Sequence, residues 1–173
     1  MKKTHVIILV TVLLGSVAYL GYSSQEDQEV TAAAVATPAT LPDFPLNDIN
    51  GESYSIHRLT ENTPTLVIYF NSTCHLCQEE LNALSKRIEE FKEYAIVLVT
   101  VEPVDEMLGF AIGLGIKDRA NVHFLLDSRM DLASFYQIKN VPSIYCYNSQ
   151  KQLVAEYVGN AKMDVLLKKL KGD

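Results

Sequence analysis

The sequence predicts an α/β domain with a mixed central sheet and helices on both faces, and three observations carry that expectation. Two short apolar runs, Leu66-Val67-Ile68-Tyr69-Phe70 and Ala95-Ile96-Val97-Leu98-Val99-Thr100-Val101, lack polar alternation, as strands covered on both faces do. Each is followed by a stretch whose apolar residues recur at helical spacing. Near the C-terminus, Ile144-Tyr145-Cys146-Tyr147 and Leu153 to Val158 flank a turn at Asn148-Ser149-Gln150-Lys151, the pattern of an antiparallel hairpin.

A chain of 173 residues has room for one ordinary domain, and a hydrophobic content of 48% is enough to build its core. The formal net charge is −6 and no basic stripe is visible, which argues against nucleic acid binding. No repeat of the solenoid kind is present. Met1-Lys2-Lys3 followed by the apolar run Val6 to Leu20 reads as an export signal. With Gly21 and Tyr22 that run approaches the ~17 residues that can just span a bilayer. The small-residue stretch Ala32 to Ala36 lies far downstream for a peptidase site. The expectation is therefore a membrane anchor over residues 1–22, with a cleaved signal peptide and a secreted soluble protein as the alternative. Residues 23–40 are polar or small and read as a flexible tether, leaving 41–173 as the folded domain. The positive-inside rule keeps Lys2 and Lys3 in the cytoplasm and delivers the domain to the periplasmic or extracytoplasmic side, where disulfides persist.

Within the domain, Leu41 to Leu59 alternates around Asn50-Gly51, a short β-hairpin signal. The strand at 66–70 leads into a helix whose apolar residues, Cys77, Leu81, Leu84, Ile88 and Phe91, fall four and three apart on one face. After the strand at 95–101, Glu102-Pro103 starts a helix with proline in its first turn, and Met107, Leu108, Phe110, Ala111 and Leu114 give it an apolar face. Gly109, Gly113 and Gly115 weaken it. Val122 to Leu126 is the next strand, and Asp127-Ser128 reads as the cap of a helix carrying Met130, Leu132, Ala133 and Phe135. The hairpin follows, Gly159 breaks it, and Val165, Leu166, Leu167 and Leu170 mark a closing helix.

The chemistry is expected where the first buried strand turns into its helix. Cys74 falls at the helix mouth and Cys77 one turn in, neighbours on a helix and within reach of a disulfide. Free backbone N–H groups and the positive dipole end at such a mouth favour thiolate over thiol. That is a layout for reversible dithiol–disulfide exchange. Half of a zinc site looks the same, but zinc needs about two more ligands. Cys146 has no partner at short spacing, and His5, His57 and His123 are scattered singly, so no metal ligand is assigned. Cys146 alternates with Ile144 and reads as core.

Pro42-Asp43-Phe44, then Gly51, Leu59, the strand and Cys74-His75-Leu76-Cys77 resemble the opening of exported thioredoxin-like proteins of the TlpA/ResA type. The resemblance runs over residues 41 to 173. It implies a thioredoxin-like fold with an N-terminal β-hairpin and one inserted helix. The implied activity is that of a thiol–disulfide oxidoreductase, expected to act as a reductase on disulfides of exported proteins. Cys74 attacks to form a mixed disulfide and Cys77 resolves it. No bound cofactor is implied. The implied partners are exported protein substrates, apocytochrome c among them, and a membrane thiol relay that donates electrons.

Glu80 lies about 60° round the helix from Cys77, at the border of the buried face, where a carboxylate of raised pKa can exchange the Cys77 proton. The resemblance assigns that role to a Glu three residues after the second cysteine. Val141-Pro142 resembles the family's cis-proline loop, which faces the cysteines and leaves backbone to pair with substrate. His75 and Leu76, between the cysteines, are expected to tune the pair and meet substrate. A peroxiredoxin would need Pro and Thr at the positions of Val67 and Asn71, and a copper chaperone a wider cysteine spacing with a distal His, for which His123 is ill placed. A non-catalytic binding module on the same scaffold is the remaining alternative.

Overall fold

The computed structural model describes residues 39–172. The expected anchor over residues 1–22 and most of the expected tether lie outside these described residues. Among the described residues, no helix is long and apolar enough to cross a membrane.

A seven-stranded mixed sheet runs β2-β1-β5-β4-β3-β6-β7. The strands are β1 (Pro45–Asn47), β2 (Ser53–Ser55), β3 (Thr65–Tyr69), β4 (Ala95–Thr100), β5 (Val122–Leu126), β6 (Ser143–Tyr147) and β7 (Leu153–Val158). The helices are α1 (Ile56–Leu59), α2 (His75–Lys86), α3 (Val104–Leu114), α4 (Asp131–Phe135) and α5 (Met163–Lys171). β3 pairs in parallel with β4 and β4 with β5, while β6 and β7 add antiparallel strands beyond β3. β3, β4 and β6 are buried along their whole lengths, which is why their sequences carry no alternation.

The period-two pleat still sorts the side chains. Leu66, Ile68, Phe70, Ile96 and Leu98 face the apolar sides of α2, α3 and α5 through Cys77, Leu81, Met107, Ala111, Leu166 and Leu170. Val67, Tyr69, Val97 and Val99 face the other way, onto Ile56 of α1 and Leu132 of α4. The expected α/β layering, thioredoxin-like in element order, is the architecture found.

Three local expectations are corrected. The helix after Cys74 ends at Lys86, and Ile88–Phe91 form a separate 3₁₀ turn. Both Ile88 and Phe91 remain buried in the same layer, so the apolar spacing continues across the break. Pro103 is the residue before α3, with extended backbone, and Val104 is its first helical residue. Gly115, in the left-handed region at φ 68°, ends that helix.

Asp127 caps α4 from a distance. Met130 occupies the capping position in left-handed backbone, and the buried Asp127 carboxylate accepts from the N–H groups of Leu132 (3.3 Å) and Ala133 (2.9 Å). It also accepts the Tyr69 hydroxyl at 3.0 Å, tying the end of β3 to the start of α4. Asp127→Ala strands those donors in the core and should lower stability by about 2–3 kcal/mol, measured by urea unfolding at neutral pH. A loss below about 0.5 kcal/mol would contradict that account.

Candidate functional site

β3 is held on both sides by neighbouring strands, and the Phe70 N–H extends its ladder to the Val99 carbonyl at 2.9 Å. Four residues later Cys74 sits at the N-cap of α2 with extended backbone. The turn between them is tied to itself. Asn71 Oδ1 accepts from the Thr73 N–H (2.9 Å) and hydroxyl (2.6 Å), and the Cys74 N–H reaches the Asn71 carbonyl at 3.2 Å. Gln78 Nε2 donates to the Ser72 carbonyl at 2.8 Å.

The two thiols are free and unlike each other. Cys74 is partly exposed, while Cys77, one turn in, is 0% exposed and packs in the core layer with Phe70 and Leu81. Burial pushes the Cys77 thiol up to about 12, with further contributions from Cys74 and from the Glu102 carboxylate, against a lowering hydrogen bond from the Asn71 backbone. The Cys74 thiol donates to the Val141 carbonyl at 3.5 Å, and the Val141–Pro142 bond is cis. The loop before β6 therefore faces the helix mouth.

Glu80 lies deeper than its helical angle suggests, only 2% exposed. Its Oε2 accepts the Ala161 N–H at 2.9 Å, and its Oε1, also buried, accepts no hydrogen bond among the described residues. Burial lifts its carboxyl to about 7. His75 points outward, its side chain 81% exposed and its Nε2 3.1 Å from Glu79 Oε1. Leu76 is 45% exposed, an apolar side chain left in solvent beside the thiols. Cys146 is buried on β6. His123 lies on β5, in a hollow shared with Asp48, Asn50 and Lys117.

Two residues that the sequence does not flag belong to the same region. Glu102, following β4 and 5% exposed, accepts from the Ser72 N–H and the Ser72 hydroxyl, both at 2.7 Å. It also accepts the Thr100 hydroxyl at 3.1 Å. On the outer side of Ser72 and Thr73, an open groove of about 520 Å³ runs along α3, past Asp105, Glu106, Gly109 and Phe110. A Cβ at Gly109 or Gly113 would meet nothing within 4 Å, so these glycines leave the groove wall flat.

The AhpC/TSA family model matches residues 38–157. Thiol-disulfide oxidoreductase ResA of Geobacillus thermodenitrificans is 24% identical over 151 residues, covering 84% of this chain and 83% of its own. The ResA of Geobacillus kaustophilus is 22% identical over 149 residues, covering 83% and 82%. Among solved structures, a secreted Mycobacterium tuberculosis disulfide oxidoreductase homologous to E. coli DsbE superposes with a TM-score of 0.64 at 16% identity, over 76% of this chain and 96% of that one. StoA from Bacillus subtilis gives 0.60 at 20% identity, over 76% and 98%. The enzyme class read from the sequence, thiol–disulfide oxidoreductase, is that of these relatives.

The raised Glu80 pKa sets the sign of a pH effect. Below about pH 4.5 the carboxyl is protonated in both folded and unfolded chains, and its folded-state environment costs nothing. As pH rises through about 7 the unfolded chain has already lost the proton, and the folded protein must bury a charge. Stability should therefore fall between about pH 5 and pH 8, by up to about 3 kcal/mol from this group. Glu80→Gln should flatten that part of the profile and exceed the wild type in stability at pH 8. Parallel wild-type and variant pH profiles from urea unfolding would refute the shift.

Proposed function

Because the chain belongs to the AhpC/TSA family and carries a Cys74-His75-Leu76-Cys77 pair at the mouth of a helix, we propose that it reduces disulfides of exported proteins through Cys74 and Cys77. The observation that carries this reading is the asymmetry of the pair. One sulfur is reachable at a helix N-terminus, and the other is buried directly behind it with its proton firmly held.

The Cys74 thiolate attacks one sulfur of a substrate disulfide. That S–S bond breaks, the departing sulfur takes up a proton, and Cys74 is left joined to the substrate. Cys77 then loses its proton and attacks Cys74 Sγ, forming the Cys74–Cys77 disulfide and releasing the second substrate thiol. Two electrons have passed from the pair to the substrate. A thiol at about 12 is a poor nucleophile at neutral pH, so the second step needs a base. Glu80, at about 7 and with one oxygen free of hydrogen bonds among the described residues, is the group suited to take that proton. The Val141 backbone beside Cys74, the exposed Leu76 and the neighbouring His75 form the surface against which an extended substrate segment lies.

The oxidised pair is returned to dithiol by a thiol protein of the membrane, and residues 1–22 tether the domain on the extracytoplasmic side. Apocytochrome c is one exported substrate of suitable chemistry, presenting a cysteine pair that must be reduced.

Cys74→Ser should abolish reduction of a protein disulfide such as that of insulin. Cys77→Ser should instead accumulate a mixed disulfide, visible as a shifted band on non-reducing gels. Full turnover by Cys74→Ser would sink the assignment. Equilibration of the pair with dithiothreitol should give a potential near about −270 mV, the thioredoxin end, whereas a value near about −120 mV would make the protein a disulfide donor.

A further inference from the structure

Glu102 is an acid held in the protein interior with all its known partners on or beside the active-site turn. Its oxygens accept three hydrogen bonds, two from Ser72 and one from Thr100, and the Glu102 N–H in turn donates to Thr100 Oγ1 at 3.2 Å. Ionised carboxylates act only as acceptors, and hydrogen bonds to them are roughly twice as strong as neutral ones. Ser72 is the middle of the turn that separates β3 from Cys74. Glu102 grips its N–H and hydroxyl, while Gln78 grips its carbonyl. Thr100 ends β4, whose ladder with β3 is complete, so the grip is anchored in the rigid part of the sheet.

We propose that Glu102 is a positioning residue for the cysteine pair: through Ser72 it fixes the turn that presents Cys74 at the mouth of α2. Burial is what chiefly holds the Cys77 proton, and the same Glu102 carboxylate adds to it. This rests on the reading of Cys74 as the attacking thiol, but its consequence is a geometry that does not require turnover to be seen.

The test is the rate at which iodoacetamide alkylates Cys74 in the reduced protein, followed peptide by peptide by mass spectrometry, with thermal unfolding as the check on folding. Glu102→Ala removes the grip and should change the Cys74 rate by about tenfold, the size of one lost charge-assisted hydrogen bond. Glu102→Gln keeps an acceptor for the Ser72 N–H and a donor for the Ser72 hydroxyl. It should restore the Cys74 rate to within about twofold of wild type while making Cys77 easier to alkylate. Ser72→Ala, which loses one arm only, should fall between wild type and Glu102→Ala. If Glu102→Ala does not fold, the ordering of Ser72→Ala and Glu102→Gln still decides the matter. A wild-type Cys74 rate in Ser72→Ala or in folded Glu102→Ala overturns the proposal, as does a Glu102→Gln variant no better than alanine. Failure of the wild-type protein to reduce insulin, with the alkylation rates of the variants ordered as expected, would count against the proposed function and not against the grip.

Discussion

The constraint on which the site depends is the abrupt change from β3 to α2. β3 lies between a parallel and an antiparallel neighbour, so its direction and its last residue are fixed by hydrogen bonds on both sides. After Phe70, the last residue in the ladder, a turn of three residues (Asn71, Ser72 and Thr73) has to start a helix with Cys74 at its N-cap. The first turn of any helix has N–H groups without helical partners, and here one sulfur is placed beside them. Helix geometry then settles the position of the other. Three residues on, Cys77 lies over the sheet with Phe70 and Leu81, and its exposure is zero because the helix must pack by that face. The difference between the two thiols thus follows from the same packing that makes the fold.

Two buried carboxylates stand near this junction, and their hydrogen bonding divides their roles. Glu102 meets three donors, enough to offset much of the cost of taking a carboxylate from water. Glu80 meets one, and its second oxygen is bare among the described residues. The first arrangement suits a group that holds structure in place. The second leaves the charged form under-compensated, which brings protonation into the neutral range and suits a group that exchanges a proton.

Much of this was legible in the sequence. The unbroken apolar runs of β3 and β4 follow from burial on both faces, and the Cys74 and Cys77 positions follow from a helical period that begins directly after β3. Three features escaped for separate physical reasons. The 3₁₀ turn at Ile88–Phe91 keeps both residues in the buried layer, so apolar spacing alone could not locate the break at Arg87. Asp127 is the cap that the sequence predicts for α4, but it acts across a left-handed Met130 at the capping position, and no adjacent-residue rule anticipates that displacement. Glu102 and Ser72 are 30 residues apart, and their contact exists only because β3 and β4 pair in parallel register. Local pattern reveals elements, whereas a grip between strand ends requires the sheet.

The residues between the cysteines bear on how the pair is tuned. His75 is almost fully in solvent, with its Nε2 3.1 Å from Glu79 Oε1 one turn on. Pairs of that kind contribute little and are screened by salt. Leu76 carries no charge. The thiols also meet surroundings outside the dipeptide: the open helix end at Cys74, the Val141 carbonyl against its sulfur, and the burial of Cys77, to which Glu102 adds. The two environments of the pair differ because the fold exposes one sulfur and buries the other. On the proposed function, the exposure of the dipeptide suits it to meet the surface of another protein.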